Sequence, residues 1–147
     1  GAGRVVMQDL VRISESIRDG AFFRNDAFRD ACARVKANGG TLHLLGLVGK
    51  GGVHGLDAHL FALVELAARE AVPRVAVHCM LDGRDTLPRS ALGYLEETLQ
   101  RIHGQAFVAS IGGRYFGMDR DKRWPRTQKA YDAMVRGRGP TTADPLG

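Results

Sequence analysis

Cysteine, tryptophan and proline are scarce in this chain: two, one and five among 147 residues. Cys32 and Cys79 lack the close spacing of a metal or redox motif and read as reduced thiols in a cytoplasmic protein. No apolar run approaches the ~20 residues of a membrane span, and no secretory leader pattern opens the chain. Low-complexity tracts are missing as well. With 44% hydrophobic and 25% charged residues, the composition is that of a globular protein. The length suffices for one ordinary core, hence one compact domain or part of a larger one.

Positive charge is what the chain has in excess, and only in one place. Residues 114 to 138 hold eight Lys/Arg against three Asp, a net of +5. The remaining 13 basic and 13 acidic residues cancel. A surplus so local points to an anion site or a basic surface. A non-catalytic anion- or nucleic-acid-binding α/β module is the alternative function. Against nucleic acid stand the interleaved Asp119, Asp121 and Asp132, which would repel a phosphate backbone.

Hydrophobic spacing gives an alternating order of elements. Leu10, Ile13 and Ile17 recur at helical intervals up to Gly20, and Asn25 caps a second helix bearing Phe28, Ala31, Cys32 and Val35 that Gly39-Gly40 ends. Thr41 to Val48 reads as a buried strand, Asp57 to Ala71 as a helix, and Pro73 to Leu81 as a Val-rich strand. Pro88 is predicted to start a helix with Leu92, Leu95, Leu99 and Ile102. Gln105 to Ile111 is predicted as a third strand, and Trp124, Thr127, Tyr131 and Met134 mark a last helix. The fold class is therefore α/β: a parallel β-sheet flanked by helices, with an N-terminal helical pair. Ligands of such sheets sit beyond the carboxyl ends of the strands. Polar clusters follow all the predicted strands there, at Gly49 to His54, Asp82 to Thr86 and Gly113 to Asp121.

Each cluster supports a functional and a purely structural reading. Gly49-Lys50-Gly51-Gly52-Val53-His54 is a strand-to-helix turn whose amides can approach an anion, although it lacks the order of a Walker loop. His54 at its end can donate to phosphate or shuttle a proton. His43 and His78 fall within apolar strands and read as core histidines. In Asp82-Gly83-Arg84-Asp85-Thr86, Arg84 suits a carboxylate or phosphate and Asp85 a substrate hydroxyl. Equally, Asp85 or Thr86 can cap a helix while Arg84 pairs with Asp82. Arg114 and Arg120 face the same choice, with Asp119 and Asp121 as ordinary ion-pair partners. His54 and His59 are off a shared helical face, and no cysteine pair or acidic cluster completes a metal ligand set. No serine has an obvious base beside it.

Taken together, Gly1 to Leu10, Leu42 to Leu47, Gly51-Gly52-Val53-His54, Leu81-Asp82-Gly83-Arg84-Asp85-Thr86 and Gly113-Arg114-Tyr115 through Arg123-Trp124 resemble the cofactor-independent (2,3-bisphosphoglycerate-independent) phosphoglycerate mutases. That family joins an alkaline-phosphatase-like domain, with a serine nucleophile and two manganese ions, to an inserted α/β phosphotransferase domain. The resemblance implies that residues 1–147 are a single partial domain, the N-terminal portion of the inserted one, with the phosphatase-like metal domain absent. It further implies that His54, Arg84, Asp85, Arg114 and Arg120 contact 2- or 3-phosphoglycerate. No catalytic residue, metal ligand or cofactor is then expected in this chain. Its implied partner is the phosphatase-like domain of the same polypeptide, with no membrane. The fragment alone is expected to be inactive. Many members carry Ser-Asp before the glycine pair and Ser-His after the histidine, where this chain has Gly49-Lys50 and Gly55-Leu56.

Overall fold

The computed structural model describes residues 3–146; Gly1, Ala2 and Gly147, at the ends of the expected domain, lie outside the described residues. Its sheet has three parallel strands in the order β1 (Leu42–Val48), β2 (Val75–Leu81) and β3 (Phe107–Gly113). The strand ends are flush, because Val48 pairs with Leu81 and Leu81 with Gly113. Three loops consequently leave the sheet at one level. The central strand is buried from Val75 to Cys79, which explains its almost unbroken apolar sequence. The α/β class expected from the spacing is the observed one.

One sheet face carries the main core. Leu44 and Val48 of β1 and Val75, Val77 and Cys79 of β2 meet α3 (Asp57–Arg69) through Leu60, Val64 and Ala67, and α4 (Ala91–Ile102) through Leu95 and Ile102. Each fully buried aliphatic side chain there contributes about 1.5–3 kcal/mol. Burial also pushes the Cys79 thiol up to about 11, so this cysteine is an inert apolar filler. The N-terminal pair, α1 (Asp9–Arg18) and α2 (Asp26–Asn38), packs farther out. With a 3₁₀ turn at Phe22–Arg24 between them, they form a second cluster in which Phe22 and Cys32 meet Ala62 and Leu66 of α3. The sequence caps work as expected: Asn25 Oδ1 accepts from the Phe28 amide at 3.2 Å, and Gly39 ends α2 at φ 64°.

The opposite face is polar at its centre. Ser110 Oγ lies 2.7 Å from His78 Nδ1, and His78 Nε2 lies 2.8 Å from His43 Nδ1. His78 is buried and satisfied by these partners, whereas His43 is exposed, so only one of the two is a core histidine. His43 sits on β1, which has no strand beyond it among the described residues. The last helix, α6 (Trp124–Arg136), crosses this face and leaves a cavity of about 550 Å³ bordered by Met80, Phe116 and Met134.

Most boundaries shift from the pattern by one or two residues, and the larger differences have physical causes. The helix predicted from Pro88 begins only at Ala91, because Arg89 adopts φ 61° and the Ser90 amide bonds back to the Leu87 carbonyl in a turn. The third strand runs on through Gly112 and Gly113, which pair with Met80 and Leu81. A single helical turn, α5 (Arg114–Gly117), then follows the strand directly.

Candidate anion-binding cleft

The rim of the sheet is organised around one carboxylate. Asp82, the first residue after β2, accepts the backbone amides of Arg84 at 3.0 Å and Asp85 at 2.9 Å through Oδ1. Gly83 at φ 64° allows the chain to fold this tightly. The same oxygen accepts Arg114 Nη1 at 2.8 Å, and Nη1 also donates to Asp85 Oδ2 at 2.6 Å. Both protons of that nitrogen are thus engaged, while Nε and Nη2 have no partner among the described residues. All three side chains are largely buried, with 16%, 7% and 19% exposure for Arg114, Asp82 and Asp85. Burial alone would raise the Asp82 carboxyl. The amide of Asp85, the Arg114 guanidinium and the amide of Arg84 outweigh it and hold the group below its ordinary value. Bonds to Asp85 and Asp82 push the Arg114 guanidinium further up, so it stays charged throughout.

The glycine-rich turn after β1 closes onto this knot. A Cβ at Gly51 would stand 2.7 Å from the Asp85 carbonyl oxygen, a backbone atom with little freedom to retreat. Glycine therefore permits a contact that brings the half-exposed His54 to 3.9 Å (Nε2) from Asp85 Oδ2. Lys50 turns away from the cleft instead, bonding Glu97 Oε2 of α4 at 2.6 Å, which raises its ammonium above the ordinary value.

The third loop, after α5, supplies Arg120. The Asp119 side chain, only 2% exposed, accepts the Arg123 amide at 2.8 Å and pairs with Arg126 Nη1 at 3.4 Å. Arg126 in turn stacks on the Tyr115 ring, 3.8 Å from its centroid. Arg120 itself, like Arg84, is exposed and makes no side-chain hydrogen bond or ion pair among the described residues.

His54, Arg84, Arg114 and Arg120 line one cleft of about 670 Å³, with Asp82, Asp119 and Arg126 in its walls. Asp85 stands behind them, bonded to Arg114. The five residues singled out from the sequence are therefore brought to one place. The anticipated ion pair of Arg84 with Asp82 does not form, since Asp82 binds the Arg84 amide and the Arg114 side chain. Neither Asp85 nor Thr86 caps α4, whose N-terminal flank is Ser90. Asp82, Asp119, Tyr115 and Arg126 were not singled out as site residues, and only adjacency to the arginines could have drawn attention to them.

The arrangement suits a small anion bearing several charges. Two guanidinium groups offer planar forks without a partner among the described residues, a third is fixed, and an imidazole lies beside a carboxylate. No serine lines the cleft: Ser14 bonds His59, Ser90 bonds the Leu87 carbonyl, and Ser110 bonds His78 on the far face. Among the described residues, no group of three or more His, Cys, Asp or Glu could hold a metal ion, and no helix is long and apolar enough to cross a membrane.

Comparisons with known proteins agree on one family. Residues 13–146 match the family described as BPG-independent PGAM N-terminus. The 2,3-bisphosphoglycerate-independent phosphoglycerate mutase of Thermomicrobium roseum is 53% identical over 148 aligned positions, covering 99% of this chain and 28% of the relative. That of Chloroflexus aggregans is 54% identical over 142 positions, covering 95% of this chain and 26% of the relative. A crystal structure of Leishmania mexicana phosphoglycerate mutase at low cobalt concentration superposes with a TM-score of 0.87 at 32% identity, covering 99% of this chain and 28% of that one. The chain thus spans between a quarter and a third of the length of the relatives it matches.

Proposed function

The chain belongs to the 2,3-bisphosphoglycerate-independent phosphoglycerate mutase family, within its N-terminal region, and we propose that its rim cleft is the substrate-holding part of such a mutase. The observation that carries this reading is the convergence of three loops on one cleft with two arginines, Arg84 and Arg120, whose side chains have no partner among the described residues. In the proposed reaction a serine of a phosphatase-like domain takes the phosphoryl group from 3-phosphoglycerate and returns it to the 2-hydroxyl of the same glycerate. Phosphate is conserved, and the glycerate must turn without escaping.

The side chains described above suit that task. Arg84 and Arg120 grip carboxylate or phosphate oxygens with their free forks. Arg114 presents its remaining donors, Nε and Nη2, from a position fixed by Asp82 and Asp85. Asp85, whose Oδ1 is not engaged by Arg114, accepts a glycerate hydroxyl, and His54 beside it moves a proton. In this reading the metal chemistry belongs to two manganese ions in the phosphatase-like domain. The whole enzyme is read as cytoplasmic, acting in glycolysis and gluconeogenesis.

Calorimetry with 3-phosphoglycerate tests the reading: binding is expected for the chain and is expected to fall by about 10- to 100-fold in Arg84→Ala. Tight, steeply salt-dependent binding of an oligonucleotide with no phosphoglycerate binding would instead favour a nucleic-acid module. With manganese present, the chain alone is expected not to interconvert 3- and 2-phosphoglycerate.

A further inference from the structure

We infer that Asp119 is a positioning residue that aims Arg120 into the cleft, with Arg126 and Tyr115 completing its frame; this rests on the reading of the cleft as a phosphoglycerate site. Arg120 stands in a stretch between α5 and α6 that contains no regular secondary structure. Without a tether, a long exposed side chain on such a segment would sample many directions, and ordering it on binding would cost affinity. The tether is Asp119. Its carboxylate is 2% exposed and accepts the Arg123 amide, closing a loop around residues 120 to 122. A carboxylate so deeply placed must be paired, and Arg126 supplies the charge.

Two further observations show that the loop is held and not merely folded. Lys122 adopts φ 58°, a left-handed conformation that a non-glycine residue keeps only where its surroundings fix it. Arg126 is itself clamped, its guanidinium 3.8 Å from the Tyr115 centroid on one side and bonded to Asp119 on the other. Tyr115 belongs to the helical turn that begins with Arg114. The frame therefore ties the loop of the free arginine to the segment that starts with the fixed one.

A double-mutant cycle tests this, with 3-phosphoglycerate titrated into the chain and binding followed by calorimetry and by the fluorescence of Trp124, the only tryptophan. Asp119→Ala is expected to weaken binding about tenfold when Arg120 is present and less than about twofold in an Arg120→Ala background. Asp119→Asn, whose amide oxygen can still accept from the Arg123 amide, is expected to regain most of the lost affinity. An equal loss in both backgrounds, or no loss, overturns the positioning role even if the melting temperature falls. Should Asp119→Ala fail to fold, Arg126→Lys carries the same cycle, because it keeps the charge but loses the planar stack. If Arg120→Ala binds like the parent, or the parent does not bind, the substrate reading fails and this role with it. If Arg120→Ala weakens binding and Asp119→Ala does not, only the role of Asp119 fails.

Discussion

The two acid–base clusters at the rim are built from the same residue types and do opposite things with them. Around Arg114, carboxylates hold the arginine itself: Asp82 and Asp85 take both protons of Nη1 and bury the head group. Around Arg120, the carboxylate holds the backbone and a neighbouring arginine, and leaves Arg120 exposed, with no side-chain partner among the described residues. The first arrangement makes a rigid wall of known charge. The second leaves an exposed donor on an anchored base. For the proposed task of gripping an anion while letting it turn, both kinds of arginine are useful.

The largest expected effect comes from breaking the wall. Arg114→Ala leaves two largely buried carboxylates without their shared partner, and loss of one member of a buried pair costs about 3–5 kcal/mol. Urea unfolding should show most of that loss; a change below about 0.5 kcal/mol would mean that the knot carries no structural load. Arg84→Ala and Arg120→Ala are expected to behave in the contrasting way. Each should weaken phosphoglycerate binding by about 10- to 100-fold, as removal of charge-assisted bonds does, while unfolding shifts by less than about 0.5 kcal/mol. If either variant unfolds as readily as Arg114→Ala, the distinction between fixed and free arginines is wrong.

Gly51→Ala sharpens the comparison from the neighbouring loop. The added methyl meets the Asp85 carbonyl oxygen at 2.7 Å, so the loop must move away from the knot. Overpacking of this kind costs about 1–3 kcal/mol. It should also carry His54 away from Asp85, read as a change in the NMR chemical shifts of the imidazole ring. The smallest effect is far from the cleft. Burial lowers His78, with His43 adding to the shift, and burial likewise lowers His59, both from an ordinary value of 6.5. The native state then binds fewer protons than the unfolded chain, so this stability is complete above the unfolded value and is lost as pH falls below it. Unfolding free energy is expected to decline as pH drops from about 6.5. His78→Gln should flatten part of that decline, and an unchanged slope would show that the buried imidazole does not report on folding.

Much of this was legible in the residues, and the misses share a cause. The strands, the helix faces and the caps at Asn25 and Gly39 follow from local patterns, because each depends on neighbours within a few residues. The convergence of the rim loops was readable too, since strand order in a parallel sheet fixes which ends share a side. The partner of Asp82 was not. Proximity in sequence favoured Arg84, but Arg114, 32 residues away, is the side chain that reaches it. The exposure of His43 and the bond of His78 to Ser110 depend on which strand neighbours which, and on a register shift in β3 between the partners of Val77 and His78. The late start of α4 reflects a left-handed Arg89, which no propensity favours.

The central claim is that Arg84 and Arg120 are the free grips of the cleft and Arg114 is its fixed wall. Side-chain NMR of the arginine Nε–Hε groups during titration with 3-phosphoglycerate tests it most directly. The Arg84 and Arg120 signals should shift in parallel and saturate, with Arg114 already slow to exchange before ligand is added. Saturable shifts at other arginines only, or no shift at all with phosphoglycerate while an oligonucleotide moves Lys129, Arg136 and Arg138, would contradict it.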